Sequence, residues 1–98
     1  MDEMQAREHI GKHAKAVVDG DLDALAADFS EELRPQLPQL AQNLPQPVTV
    51  ADVLNVDLEP DEAVALIRYS GADGEVTIRS RWRERNGRPI IVQAEPAG

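Results

Sequence analysis

Few side chains in this sequence are equipped for chemistry. There is no cysteine, which excludes thiolate catalysis, Cys-ligated zinc and disulfides and leaves no cysteine signal of redox compartment. His9 and His13 are four residues apart in a segment of helical periodicity, a spacing at which two imidazoles can chelate a metal. No third ligand accompanies them and there is no HExxH pattern, so we read them as helix-edge histidines and expect neither metal nor cofactor. His13 lies beside Ile10, Ala14 and Val17 on the helical wheel, which turns it toward the interior. A carboxylate buried in an apolar space has a raised pKa and can move a proton near neutral pH. Strand parity puts Asp52 and Asp57 on the outer sheet face, and Glu84 and Glu95 fall near strand ends where water reaches. No pair of titratable groups stands out as an acid and a base, so no catalytic residue is assigned; Tyr69, Ser80, Gln93 and His13 are the other polar positions on the inner side, His13 and Tyr69 being the two that could move a proton.

The elements that must position these groups divide the chain in two. Ala6, Ile10, Ala14, Val17 and Val18 recur at helical spacing from Glu3 to Val18, and Gly20 suits the left-handed position that ends a helix. Asp21 caps a second, short helix with the apolar stripe Leu22, Leu25, Ala26 and Phe29. Leu33, Leu37, Leu40 and Leu44 form one face of a third helix, starting near Pro35 and stopped by Pro45 and Pro47. Strands are expected over 48–58, 63–69, 75–85 and 88–94, rich in Val, Ile, Leu and Thr. Turns at Glu59–Glu62 and Gly71–Gly74 separate them, and Asn86-Gly87 is a strong type I′ hairpin signal. The reading is one α+β domain over 1–98, helical over 1–46, with an antiparallel sheet over 47–96.

Composition narrows the function classes. The 98 residues carry a net charge of −8, unevenly: residues 1–62 are at −10 and residues 63–98 at +2. The acidic half argues against nucleic acid, which needs a basic surface to release counterions. The longest uncharged stretch, 35–51, is rich in Gln and Pro, so no membrane span is expected. Met1-Asp2-Glu3-Met4 is acidic and lacks the regions of a signal peptide, which points to a cytoplasmic protein.

Pairing the strands as consecutive hairpins sorts their side chains onto two faces. One carries Leu54, Val56, Leu58, Ala63, Ala65, Ile67, Tyr69, Val76, Ile78, Ser80, Trp82, Ile91 and Gln93, and the helices should cover it. Ala63 falls opposite Trp82 and leaves room for the indole. The other face mixes Val64, Leu66, Ile90 and Val92 with Arg79, Arg81 and Arg83, apolar area ringed by arginine, which is the composition of a protein–protein surface. These seven residues are the expected interface of a homodimer. A one-residue bulge in the last strand would exchange its faces.

The run Ala16-Val17-Val18-Asp19-Gly20-Asp21-Leu22-Asp23-Ala24-Leu25-Ala26-Ala27-Asp28-Phe29 resembles the N-terminal signature of the NTF2-like (SnoaL-like) superfamily, whose fold is cystatin-like. Thr77 to Val92, with Asn86-Gly87 at its turn, is similar to that family's closing hairpin. The resemblance implies helices packed on a curved four-stranded antiparallel meander, forming a cone whose outer face often makes a dimer. It also implies that the chain, short between the second helix and the meander, has a small or filled pocket. Within such a cone, Leu54, Val56, Ile67, Tyr69, Ile78, Ser80, Trp82, Ile91 and Gln93 would line a site for a small apolar ligand. The function implied first is non-enzymatic small-molecule binding or protein interaction. The alternative is an isomerase- or dehydratase-type enzyme with His13 or Tyr69 moving the proton.

Overall fold

A computed structural model describes residues 1–97. Helix α1 spans Glu3–Asp19, α2 spans Leu22–Asp28, and a 3₁₀ turn at Arg34–Gln36 leads into α3, Leu37–Gln42. Strands β1 (Val50–Glu59), β2 (Glu62–Gly71), β3 (Gly74–Arg85) and β4 (Arg88–Pro96) follow as an antiparallel meander in the order β1-β2-β3-β4. Among the described residues, no helix is long and apolar enough to cross a membrane.

Local chemistry sets the helix ends. The Asp2 carboxylate accepts from the Gln5 amide at 2.7 Å and starts α1, while Gly20, at φ 69°, ends it in the left-handed region. Asp21 accepts from the Ala24 amide at 3.1 Å and starts α2 at once, so α2 folds back beside the last turns of α1. Phe29 departs from the expected helical stripe. It turns extended and bridges Ile91 of β4 in parallel, with the Ser30 amide donating to the Ile91 carbonyl at 2.9 Å. Leu22, expected in the same stripe, is mostly exposed. The third helix is shorter than the leucine spacing predicts, because the prolines confine its regular part to six residues. Its exit is held where the Pro45–Pro47 loop presses on Gly71, a close approach that leaves no room for a Cβ.

All three hairpin loops have two residues, and at the last of them Asn86 (φ 54°) and Gly87 (φ 77°) take the positive angles that a type I′ turn requires. Ala63 pairs with Trp82 as expected, and both are fully buried. The core gathers Ala6, Ile10 and Ala14 of α1 with Ala65, Ile67, Trp82 and Ile91 of the sheet. The Trp82 indole N–H donates to the Ser80 hydroxyl at 2.9 Å, which satisfies its one polar atom inside the core.

Two bulges alter the expected faces. In β1 the register shifts between Val53 and Asn55, which leaves Leu54 without a partner and about half exposed rather than on the inner face. In β4 the shift falls opposite Arg81 and Trp82. Ile91 pairs with Trp82 on the inner face, Val92 is the extra residue, and Gln93 pairs with Arg81 on the outer face. Ala94, paired with Ser80, takes the inner position predicted for Gln93. We expect Ala63→Leu to cost about 1–3 kcal/mol in urea unfolding, because the added methylenes meet the buried indole. Leu54→Ala, at the exposed bulge, should stay within about 0.5 kcal/mol. Equal effects at the two positions would contradict this register.

Candidate functional site

An open cavity of about 460 Å³ lies between α2, α3 and the inner face of the sheet. Its wall is chiefly aliphatic: Leu25 of α2, Leu37 and Leu40 of α3, Leu44 beyond it, and Ile78 and Ile91 of the sheet. The leucine segment therefore walls the cone without filling it, and the short connection to the meander does not close the pocket. His13, Tyr69 and Ser80 also line it, so both proton-transfer candidates reach one space. Of the predicted pocket residues, Tyr69, Ile78, Ser80 and Ile91 line the cavity. Val56, Ile67 and Trp82 belong instead to the packed core, with Trp82 fully enclosed. Gln93 faces away, and Leu54, the unpaired residue of the β1 bulge, is half exposed and lies outside the lining.

The polar end of the cavity is built around a residue that sequence reasoning passed over. Asp28, the last residue of α2, is buried, and its carboxylate holds two partners. Oδ2 lies 3.0 Å from His13 Nδ1, and Oδ1 accepts from Arg88 Nη2 at 2.6 Å. The local fold makes this meeting unavoidable: Gly20 turns α2 back beside His13, and the Phe29–Ile91 bridge lays the end of α2 across β4, near Arg88. The Gln5 side chain also donates to the Gly87 carbonyl at 3.2 Å, tying α1 to the hairpin that carries Arg88. His13 stands edge-on to Phe29 and Trp82, with ring centroids 5.7 and 5.5 Å away, which fixes its plane. Burial, and then the nearby Asp28 charge, push the Tyr69 phenol well above its ordinary pKa, so it remains a neutral hydroxyl. Asp28 lies at the edge of the α2 apolar stripe, three residues beyond Leu25; an acid there was the legible signal of a buried carboxylate.

The outer face is laced with ion pairs. Arg81 and Arg83 both bond Glu62, the second at 3.2 Å, Arg68 pairs with Asp52 at 3.2 Å, and Arg79 lies 3.7 Å from Glu95. Val64, Leu66 and Ile90 stand half-buried among them. Burial works against the Glu62 carboxylate, but hydrogen bonds and charge from Arg83 and Arg81 outweigh it and hold its pKa below the usual glutamate range.

No protein-family model matches the chain, and no curated protein matches it. Among solved structures, an NTF2-like protein of unknown function from Burkholderia xenovorans LB400 superposes with a TM-score of 0.65 at 18% identity, over 98% of this chain and 89% of that one. The chain has the NTF2-like fold. A SEC-C motif containing protein from Rhodopseudomonas palustris is also similar, with a TM-score of 0.61 at 17% identity over 86% of this chain and 72% of that one. Identity this low carries the NTF2-like architecture alone; the Asp28 site stands on the geometry of this chain.

Two measurements test these arrangements. Asp28→Ala leaves Arg88 and His13 without their shared partner and should cost about 3–5 kcal/mol in urea unfolding; a loss below about 1 kcal/mol would mean that the pair is not held as described. An acid whose pKa is depressed by folding stabilises fully above its unfolded value, near about 4.3, and loses that contribution as pH falls through the lower folded value. Stability should therefore fall less steeply below that pH in Glu62→Gln than in the parent chain; identical acid limbs would contradict the Arg81–Glu62–Arg83 clamp.

Proposed function

We propose that this chain binds a small, largely apolar molecule in the cone. The cavity carries the reading: at about 460 Å³ it falls within the range of small-molecule sites, roughly 300–1,000 Å³. It also has their composition, an aliphatic wall with a few polar groups gathered at one end. A packed interaction module needs no such space.

Amide chemical shifts during titration with compact apolar fragments test this. Shifts should concentrate at His13, Tyr69, Ile78 and Ile91 and disappear in Ile78→Trp, where the indole occupies the cavity. Shifts that persist in that variant, or that map to the outer sheet face, would overturn the reading.

The His13–Asp28 pair favours a second reading, proton transfer on the bound molecule, because a carboxylate behind an imidazole orients it and supports its action as a base. Exchange of carbon-bound hydrogen for deuterium in a bound ketone, lost in His13→Gln, would establish it.

We also infer that the outer face pairs two copies of the chain. Val64, Leu66 and Ile90, half-buried beside Arg79, Arg81 and Arg83, support this, with Val92 at the adjoining bulge. Sedimentation equilibrium should give a dimer that Arg81→Glu weakens; a monomer persisting at high micromolar concentration would count against it.

A further inference from the structure

Resting on the small-molecule reading above, we propose that the cavity selects an uncharged hydroxyl compound, an alcohol or phenol on a compact hydrocarbon frame, and disfavours carboxylates.

Charge comes first. Among the described residues, no lysine or arginine lines the cavity. Arg88, at that end of the sheet, is already engaged by Asp28 at 2.6 Å. The acidic side chains near the space are Asp28 behind His13 and Asp23 on the lining. A carboxylate head would leave water for an apolar wall, meet like charge, and find no free cation, which is strongly unfavourable. An ammonium head meets no carboxylate at this end, because Asp28 stands behind His13 and is not on the lining.

Hydrogen bonding then narrows the neutral candidates. In the neutral imidazole the ring nitrogen that faces a carboxylate is the one that carries the proton, so Nδ1 donates to Asp28 and Nε2 is left as a lone-pair acceptor. Among the described residues, neither Nε2 nor the Tyr69 hydroxyl has a hydrogen-bond partner. No enclosed side-chain polar atom is left unpartnered, so both atoms reach open space, and the cavity is the space their residues line. Tyr69 keeps its proton and can donate it. The Ser80 oxygen accepts from Trp82, which leaves the serine hydroxyl hydrogen free to donate. His13, Tyr69 and Ser80 together therefore offer one acceptor and two donors. A ligand hydroxyl, which donates once and accepts twice, complements that set; a bare hydrocarbon leaves it dry and unpaired, and a site built around a hydroxyl rejects the analogue lacking one.

Isothermal titration of matched alcohol, carboxylate and hydrocarbon trios on two frames, indane and adamantane, tests this. In the parent chain the alcohol should bind about tenfold more tightly than the hydrocarbon, equivalent to about 1.4 kcal/mol, and the carboxylate more weakly than either. Tyr69→Phe should bring the alcohol to within about threefold of the hydrocarbon while leaving the hydrocarbon unchanged. Asp28→Asn, near-isosteric and checked for folding by the buried Trp82 emission, leaves Arg88 uncompensated and should raise carboxylate affinity by about tenfold. If the hydrocarbon or carboxylate binds as well as the alcohol in the parent chain, the hydroxyl inference fails and the binding pocket stands. If no member of either trio binds, the small-molecule reading fails and the inference falls with it.

Discussion

Burying the Asp28 carboxylate is the constraint around which this molecule is arranged. A charge removed from water costs several kcal/mol unless opposite charge and hydrogen bonds meet it, and here both oxygens are met, by His13 of α1 and Arg88 of β4. The three residues belong to three separate elements, so the bond network closes only when α1, α2 and the last hairpin have all docked. The left-handed Gly20, the Asp21 cap and the extended Phe29 are the local devices that bring them together.

The sheet supplies the frame for that network. Small residues, Ala63 and Ala65, let the fully buried Trp82 pack deep in the sheet, and His13 rests edge-on to the same indole. The core and the polar end of the cavity thus share a wall. The β4 bulge matters equally. By expelling Val92 from the ladder it turns Gln93 outward and sets Ala94 opposite Ser80, which keeps the β4 part of the wall apolar and leaves the sheet's polar contribution to Tyr69 and Ser80, beside His13 and Asp23 from the helices. With a closed ladder the Gln93 amide would have stood inside and given the space a different chemistry.

Much of this arrangement was legible in the residues. Gly20 and Asp21 announced the break between the first two helices, Asn86-Gly87 announced the last hairpin, and strand alternation placed Ala63 opposite Trp82. What escaped has specific causes. A bulge adds one residue without a turn signal of its own, so strict alternation puts Gln93 on the inner face and gives Leu54 a paired inner position that the ladder does not provide. Phe29 fits a helical stripe by spacing, and only the tertiary bridge to Ile91 draws it out of the helix. Asp28 and Arg88 are 60 residues apart, and nothing local to either reveals the pairing. The shared fold, likewise, leaves the chemistry of the cone to its individual side chains.

The most direct test of the account is nitrogen-15 NMR of the His13 ring in its neutral form. It predicts a proton on Nδ1, shared with Asp28, and a bare Nε2 whose resonance moves when an alcohol enters the cavity. A proton on Nε2 with Nδ1 bare, or a ring spectrum unaltered by Asp28→Asn, would contradict it.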